Sequence, residues 1–250
     1  MIRLKTPQQI SAIREASQLL ITVLEELERM VEPGISTLDL DQYAYKRITA
    51  LGARPAFLGY MDFPASLCTS VDSAVIHGIP NKQRLRSGQV LSVDCGVEYR
   101  GYFSDSAFSV PVGSVSTEVE QLLRVTRESL LLGIEAARAG NRINDISRAV
   151  FHHTHSCGYG VVRPYCGHGV GLEIHEDPQV PNYVGRGPNP RLKPGMVLAI
   201  EPMINLGGDD VRVLDDDWTV VTADGSVSAH FEHTVAIMAE RTEILTAREV

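Results

Sequence analysis

The chain has 250 residues, 44% of them apolar, and a formal net charge of -8. That content supports a substantial core in one large domain or two fused halves, and the acidic balance disfavours a groove holding nucleic acid through clustered Lys and Arg. Cys68, Cys95, Cys157 and Cys166 lack C-x-x-C spacing, which suits reduced thiols in a cytosolic compartment, and no run of about 18 apolar residues marks a membrane span or signal peptide.

In chain order, Thr6-Pro7-Gln8-Gln9 predicts a helix start, with Thr6 as cap, Pro7 at the first position and Gln9 closing the capping box. Ile10, Ile13, Leu20, Leu24 and Leu27 follow at helical spacing. Further helices are predicted over 36–48, 117–138 and 144–155, each closed by a glycine. Strands are predicted over 67–71, 90–97, 102–110, 197–204, 218–222 and 227–238. Helices and strands mix without the alternation of a doubly wound sheet, so the class is α+β with antiparallel hairpins.

One stretch recurs. Leu85-Arg86-Ser87-Gly88-Gln89-Val90-Leu91-Ser92-Val93-Asp94 matches Leu192-Lys193-Pro194-Gly195-Met196-Val197-Leu198-Ala199-Ile200-Glu201 as leucine, base, turn, glycine, apolar strand and carboxylate. Each copy is followed by a second carboxylate on a returning strand, Asp105 after Phe103 and Glu232 after Phe231. The gap is longer in the second copy, so an insertion lies there. The expected organisation is one catalytic domain of two pseudosymmetric halves, about 1–115 and 116–250.

Asp94 and Asp105 flank Glu98-Tyr99-Arg100-Gly101. A two-residue turn at Tyr99-Arg100 sets the carboxylates directly opposite at roughly 5 Å, whereas Gly101 equally supports a longer turn with a bulge that flips one side chain. Converging carboxylates in apolar surroundings repel unless a proton or cation is shared. With Glu201 and Glu232 joining, the physical remedy is a pair of divalent cations, and oxygen ligands suit manganese, iron, cobalt or zinc. The segment from Cys166 to His175 adds His168 and His175 among three glycines, and histidine supplies both metal ligation and proton transfer.

Together His77-Gly78-Ile79-Pro80, Asp94-Cys95-Gly96, Asp105, Cys166-Gly167-His168-Gly169-Val170-Gly171, His175-Glu176, Ile200-Glu201-Pro202 and Phe231-Glu232-His233-Thr234 resemble the methionine aminopeptidases, in their short type I form. The resemblance implies the pita-bread fold of the M24 peptidases, two αβ halves with antiparallel sheet around a dinuclear metal site. It implies that Asp94 chelates one metal, Asp105 and Glu232 bridge both, and His168 with Glu201 completes the other. Glu201 is then the general base, His175 stabilises the tetrahedral intermediate, and His77 contacts the substrate backbone. The methionine side chain is expected against Tyr60, Phe63, Cys68, His77 and Trp218, with Ile174 as a further wall. Where family members commonly carry Arg-Gly-Phe, this chain has Leu172-Glu173-Ile174, which bears on specificity rather than on chemistry. Also implied are removal of initiator methionine before a small second residue, nascent chains as partners, transient ribosome contact, a monomer, and a cytoplasmic location without membrane or specific nucleic-acid binding.

Other signals point away from chemistry. His152, His153 and His155 read as helix surface without a nearby carboxylate ladder, and Asp209-Asp210 and Asp215-Asp216-Asp217 as solvated loop. Neither a dinucleotide fingerprint nor H-E-x-x-H nor G-x-S-x-G occurs. The alternatives are a proline-specific aminopeptidase or prolidase-like hydrolase of the same fold, and a non-catalytic binding relative. The former usually carries a large N-terminal domain, for which a first helix at Thr6 and a first ligand at Asp94 leave no room. Type II enzymes carry an insertion that the span from His175 to Glu201 cannot hold. An intact ligand set argues against the binding relative.

Overall fold

A computed structural model describes residues 1–247; the last three positions of the predicted second half lie outside the described residues. The described elements are α1 (Pro7–Met30), α2 (Thr37–Ala50), β1 (Arg54–Pro55), a 3-10 turn (Tyr60–Asp62), β2 (Leu67–Val71), β3 (Ala74–Ile76), β4 (Gln89–Tyr99), β5 (Tyr102–Val112), α3 (Thr117–Ala136) and α4 (Ile143–Ser156). Then follow β6 (Gly160–Val161), β7 (Gly167–Gly169), β8 (Glu176–Val180), β9 (Val197–Ile200), β10 (Met203–Asn205), β11 (Val211–Val213), β12 (Val220–Thr222), β13 (Ser228–His230), β14 (Glu232–Ile237) and β15 (Thr242–Ile244).

α1 begins as its sequence dictates. Thr6 Oγ1 accepts from the Gln9 amide at 3.3 Å and Gln9 Oε1 accepts from the Thr6 amide at 2.9 Å, so two free amides of the first turn are satisfied reciprocally. Its buried face, from Ile10 through Leu20 to Leu27, joins Leu40, Ala44 and Ile48 of α2 and alternate residues of β4, namely Leu91, Val93, Cys95 and Val97. Each fully buried leucine contributes about 2 kcal/mol. Because strand side chains alternate, committing the odd residues of β4 to this core turns Asp94 to the opposite face. α3 and α4 cover the other part of the sheet through Leu130, Ile134, Ile143 and Ile146 against Leu198, Ile200, Val235 and Ile237.

The main sheet runs β1-β4-β5-β14-β9-β7-β8, with β2 also on β4 and β15 also on β14. Smaller sheets, β13-β10-β6 and β11-β12-β3, flank it. Thus β4 and β5 from the first part of the chain and β9 and β14 from the second form the centre, as α+β pairing requires.

Three expectations are corrected. Residues 197–204 form two strands, because Pro202 supplies no amide to a ladder and the chain leaves the main sheet there to pair β10 with β13. Residues 227–238 break likewise at Phe231, whose amide turns to Pro202 O at 3.4 Å. The strand expected from Trp218 begins at Val220, since Asp216 Oδ1 accepts from the Trp218 and Thr219 amides at 3.0 and 2.7 Å and holds a turn.

The hairpin also differs. The turn is Arg100-Gly101, both at positive φ (52° and 83°), the signature of a type I′ turn matched to strand twist. Tyr99 pairs with Tyr102, Asp94 with Ala107 and Gly96 with Asp105. The aspartates are therefore diagonal, two residues out of register rather than opposite, and an even shift keeps both on one face.

Candidate metal centre and substrate cavity

The register assembles the site strand by strand. Cys68 of β2 pairs with Asp94, Asp94 with Ala107, and Ala107 on its other side with Glu232. Two carboxylates thus flank one methyl group. His233 pairs with Ile200, so the next position on each strand sets Glu232 beside Glu201, just where β9 breaks. His168 pairs with Ala199 of β9. Thr234 ties Asp105 in place, accepting from its amide at 3.1 Å and donating to its carbonyl at 2.7 Å through the same hydroxyl.

Burial makes this gathering costly. Asp105 and Glu232 are 3% and 2% exposed. Burial and neighbouring carboxylates hold both well above the ordinary range; burial pushes Asp94 up to about 7 and Glu201 up to about 8. Oδ1 of Asp94, Oδ1 of Asp105 and Oε1 of Glu232 are buried without a hydrogen-bond partner, and such orphans carry a penalty unless something satisfies them. His168 Nδ1 donates to Gly169 O at 2.9 Å, which fixes the tautomer with the Nε2 lone pair free. That Nε2 lies 3.5 Å from Glu201 Oε1 and 3.9 Å from Asp105 Oδ2. Burial lowers the His168 imidazole to about 3, so it is neutral, as a ligand must be. Asp94, Asp105 and Glu232 form one group with ligand atoms within 4.8 Å of each other, and His168, Glu201 and Glu232 form another. The donor set fits hard or borderline divalent cations.

These groups line one cavity of about 810 Å³, which also meets Tyr60, Phe63, Cys68, His77, His175 and Trp218. Phe63 and Trp218 meet edge to face at 4.9 Å, and with Phe57, Ala65 and Cys68 they belong to one apolar cluster. Ile174 sits in that cluster, 3% exposed, backing the wall rather than lining the cavity. A Cβ at Gly96 would meet Phe57 Cε1 at 2.8 Å and Ile174 Cδ1 at 3.1 Å, so the glycine after Asp94-Cys95 is needed for the wall to close. His77, at φ 59°, stands edge-on to Tyr165 and Trp218 at 5.7 and 6.1 Å. His175 lies 4.3 Å from the His168 ring and 5.1 Å from Tyr60.

Sequence reasoning missed His230. It is 2% exposed, its Nε2 has no hydrogen-bond partner, and it lies 3.7 Å from Glu201 Oε2; its place two residues before Glu232 was the available signal. Tyr165 and Phe57, also in the lining, carried none. The histidines of α4 stay outside every ligand group among the described residues, although His153 does find a carboxylate, Glu128 of α3, at 3.0 Å. Asp216 satisfies local backbone amides, and Asp209 accepts from the Val161 amide of β6 at 2.9 Å.

Residues 11–239 match the model of metallopeptidase family M24. A methionine aminopeptidase of Clostridium perfringens is 49% identical over 98% of this chain and 99% of its own. The crystal structure of a methionine aminopeptidase from Thermotoga maritima superposes with a TM-score of 0.96 at 40% identity, covering 99% of this chain and 100% of that one. A prolidase from Pyrococcus furiosus gives 0.81 at 24% identity over 99% of this chain and 66% of that one, a likeness of fold alone.

Proposed function

Because the chain belongs to metallopeptidase family M24, and within it to the methionine aminopeptidases, we infer that this cavity removes amino-terminal methionine by metal-dependent hydrolysis of the first peptide bond. The fold is the family's pita-bread fold, and the prolidase-like alternative is not favoured. The observation that carries the reading is the convergence of four carboxylates, two fully and two partly buried and three with orphaned oxygens, and one neutral imidazole on the floor of an apolar slot.

Two divalent ions per chain, cobalt, manganese, iron or zinc, suit the two ligand groups: Asp94, Asp105 and Glu232 for one, and Asp105, His168, Glu201 and Glu232 for the other. When bound, they supply Lewis acidity that lowers the pKa of water and polarises a carbonyl. Glu201, beside His230 and His168, takes the proton from the attacking water. His175 donates to the oxygen of the tetrahedral intermediate, since it projects into the cavity beside His168. His77, lowered to about 4 by burial, is neutral and holds the substrate backbone. Phe63, Trp218, Cys68 and Tyr60 receive the thioether, whose polarizable sulfur suits aromatic edges. Ile174 keeps the wall apolar in the departure at 172–174.

We place the enzyme in the cytoplasm as a monomer acting on nascent chains in transient contact with the ribosome, in keeping with its four free cysteines. The halves 1–115 and 116–250 act as one catalytic domain. The test is incubation of a protein bearing Met-Ala at its amino terminus with enzyme and manganese. A mass loss of one methionine residue supports the reading, and an unchanged mass overturns it.

A further inference from the structure

We propose that Lys5 and Glu176 are positioning residues for the reaction: their buried ion pair fixes the loop that presents His175 to the cavity. The proposal rests on the reading of His175 given above. His175 follows a loop without regular structure between β7 and β8, and its ring makes contacts with His168 and Tyr60 but no hydrogen bond among the described residues. Its placement is therefore inherited from the backbone.

That backbone is closed by the next residue. Glu176 Oε1 accepts from the amides of Leu172 and Glu173 at 2.7 and 3.2 Å. Its Oε2 accepts from Lys5 Nζ at 2.8 Å and Arg3 Nε at 3.1 Å. The side chains of Lys5 and Glu176 are each 1% exposed, while that of Arg3 is 39% exposed. A carboxylate so buried needs its charge compensated, and Lys5 is the buried cation that does it.

Lys5 is anchored in turn. Its amide donates to Gly195 O at 2.7 Å, in the turn that enters β9, and Ile2 packs against the apolar cluster that includes Leu198 and Ile200 of that strand. A Cβ on Gly171 would meet Ile13 Cδ1 at 2.5 Å and Lys5 Cε at 3.3 Å, so the loop rests directly on α1 and the lysine. The pair thereby ties the His175 loop to the strand that leads into Glu201. Removing the ammonium leaves a buried charge that recovers hydration only if the loop shifts, and a displacement of about 1 Å in a catalytic group costs on the order of 100-fold in rate.

The experiment measures kcat and KM of the metal-loaded enzyme on Met-Ala-Ser for Lys5→Met, Lys5→Arg and Glu176→Gln, each with and without His175→Ala. Lys5→Met is expected to lower kcat about 10- to 100-fold with KM little changed, to be largely rescued by Lys5→Arg, and to cause no further loss once His175 is gone. In the metal-free protein, exchange of the Leu172 and Glu173 amides should quicken by roughly tenfold or more while the β4–β5 ladder stays protected. Equal losses on both backgrounds, or unchanged exchange at 172 and 173, overturn the proposal. If Lys5→Met fails to fold, Glu176→Gln carries the same cycle. Wild-type turnover by His175→Ala alone would instead sink the catalytic reading of His175, while the exchange data still judge the tether.

Discussion

Asp94 and Glu232, on strands that do not touch, both pair with Ala107 between them. The alanine is what lets two buried carboxyl groups face one another across a shared floor, with Asp105 two residues further along the same strand. Such an array is unfavourable when ionised in isolation and is relieved by protons or by cations.

Asp105→Asn should abolish tight metal binding and turnover while leaving the metal-free fold intact. Burial and Asp94 hold the carboxyl well above its ordinary range, so a neutral amide matches the form that burial favours and changes stability by no more than about 1 kcal/mol. Calorimetric titration with manganese checks this; full occupancy of both ions in the variant would contradict a bridging role.

The metal-free protein should lose stability as pH rises from about 6.5 to 8.5. Asp94 and Glu201 have folded values of about 7 and 8, above those of the unfolded chain, so the native state holds more protons and stability falls as pH passes through the folded values. His168 and His77, lowered to about 3 and 4, act in the opposite direction, but only below about pH 6.5, their unfolded value. Metal binding releases the carboxyl protons. The gap in Tm between manganese-loaded and chelated protein should therefore widen by a few degrees across this window, and a gap that narrows would contradict the assignment.

His175→Ala should lower kcat by about 100- to 1000-fold with metal content near that of the parent, measured by elemental analysis. Loss of metal would make His175 a ligand, as its grouping with Asp105 and His168 allows.

Phe63→Ala should raise KM for methionine peptides and lower stability by about 3 kcal/mol, since a 3% exposed ring against Trp218 leaves a cavity. A variant with unchanged KM would remove Phe63 from the methionine slot.

The convergence of Asp94, Asp105, Glu201 and Glu232 was legible because β strands alternate and the carboxylates recur after matching glycine turns. The breaks were not, since hydrophobic periodicity runs through Pro202 and Phe231 without registering that the chain changes sheets there. Hairpin register depended on whether Arg100 adopts positive φ, which composition does not reveal. Ile174 was expected as a further wall because the resemblance places it there, and a resemblance in sequence does not distinguish the front of a wall from its back. The pairing of Lys5 with Glu176 escaped notice because they are 171 residues apart, and a buried ion pair of such separation leaves no local pattern.

The most direct test is release of free methionine from Met-Ala-Ser and Met-Lys-Ser, each with chelated enzyme and with manganese or cobalt added. Metal-dependent cleavage of Met-Ala-Ser alone is the predicted result; cleavage of neither peptide with any metal, alongside hydrolysis of an Xaa-Pro dipeptide, would contradict it.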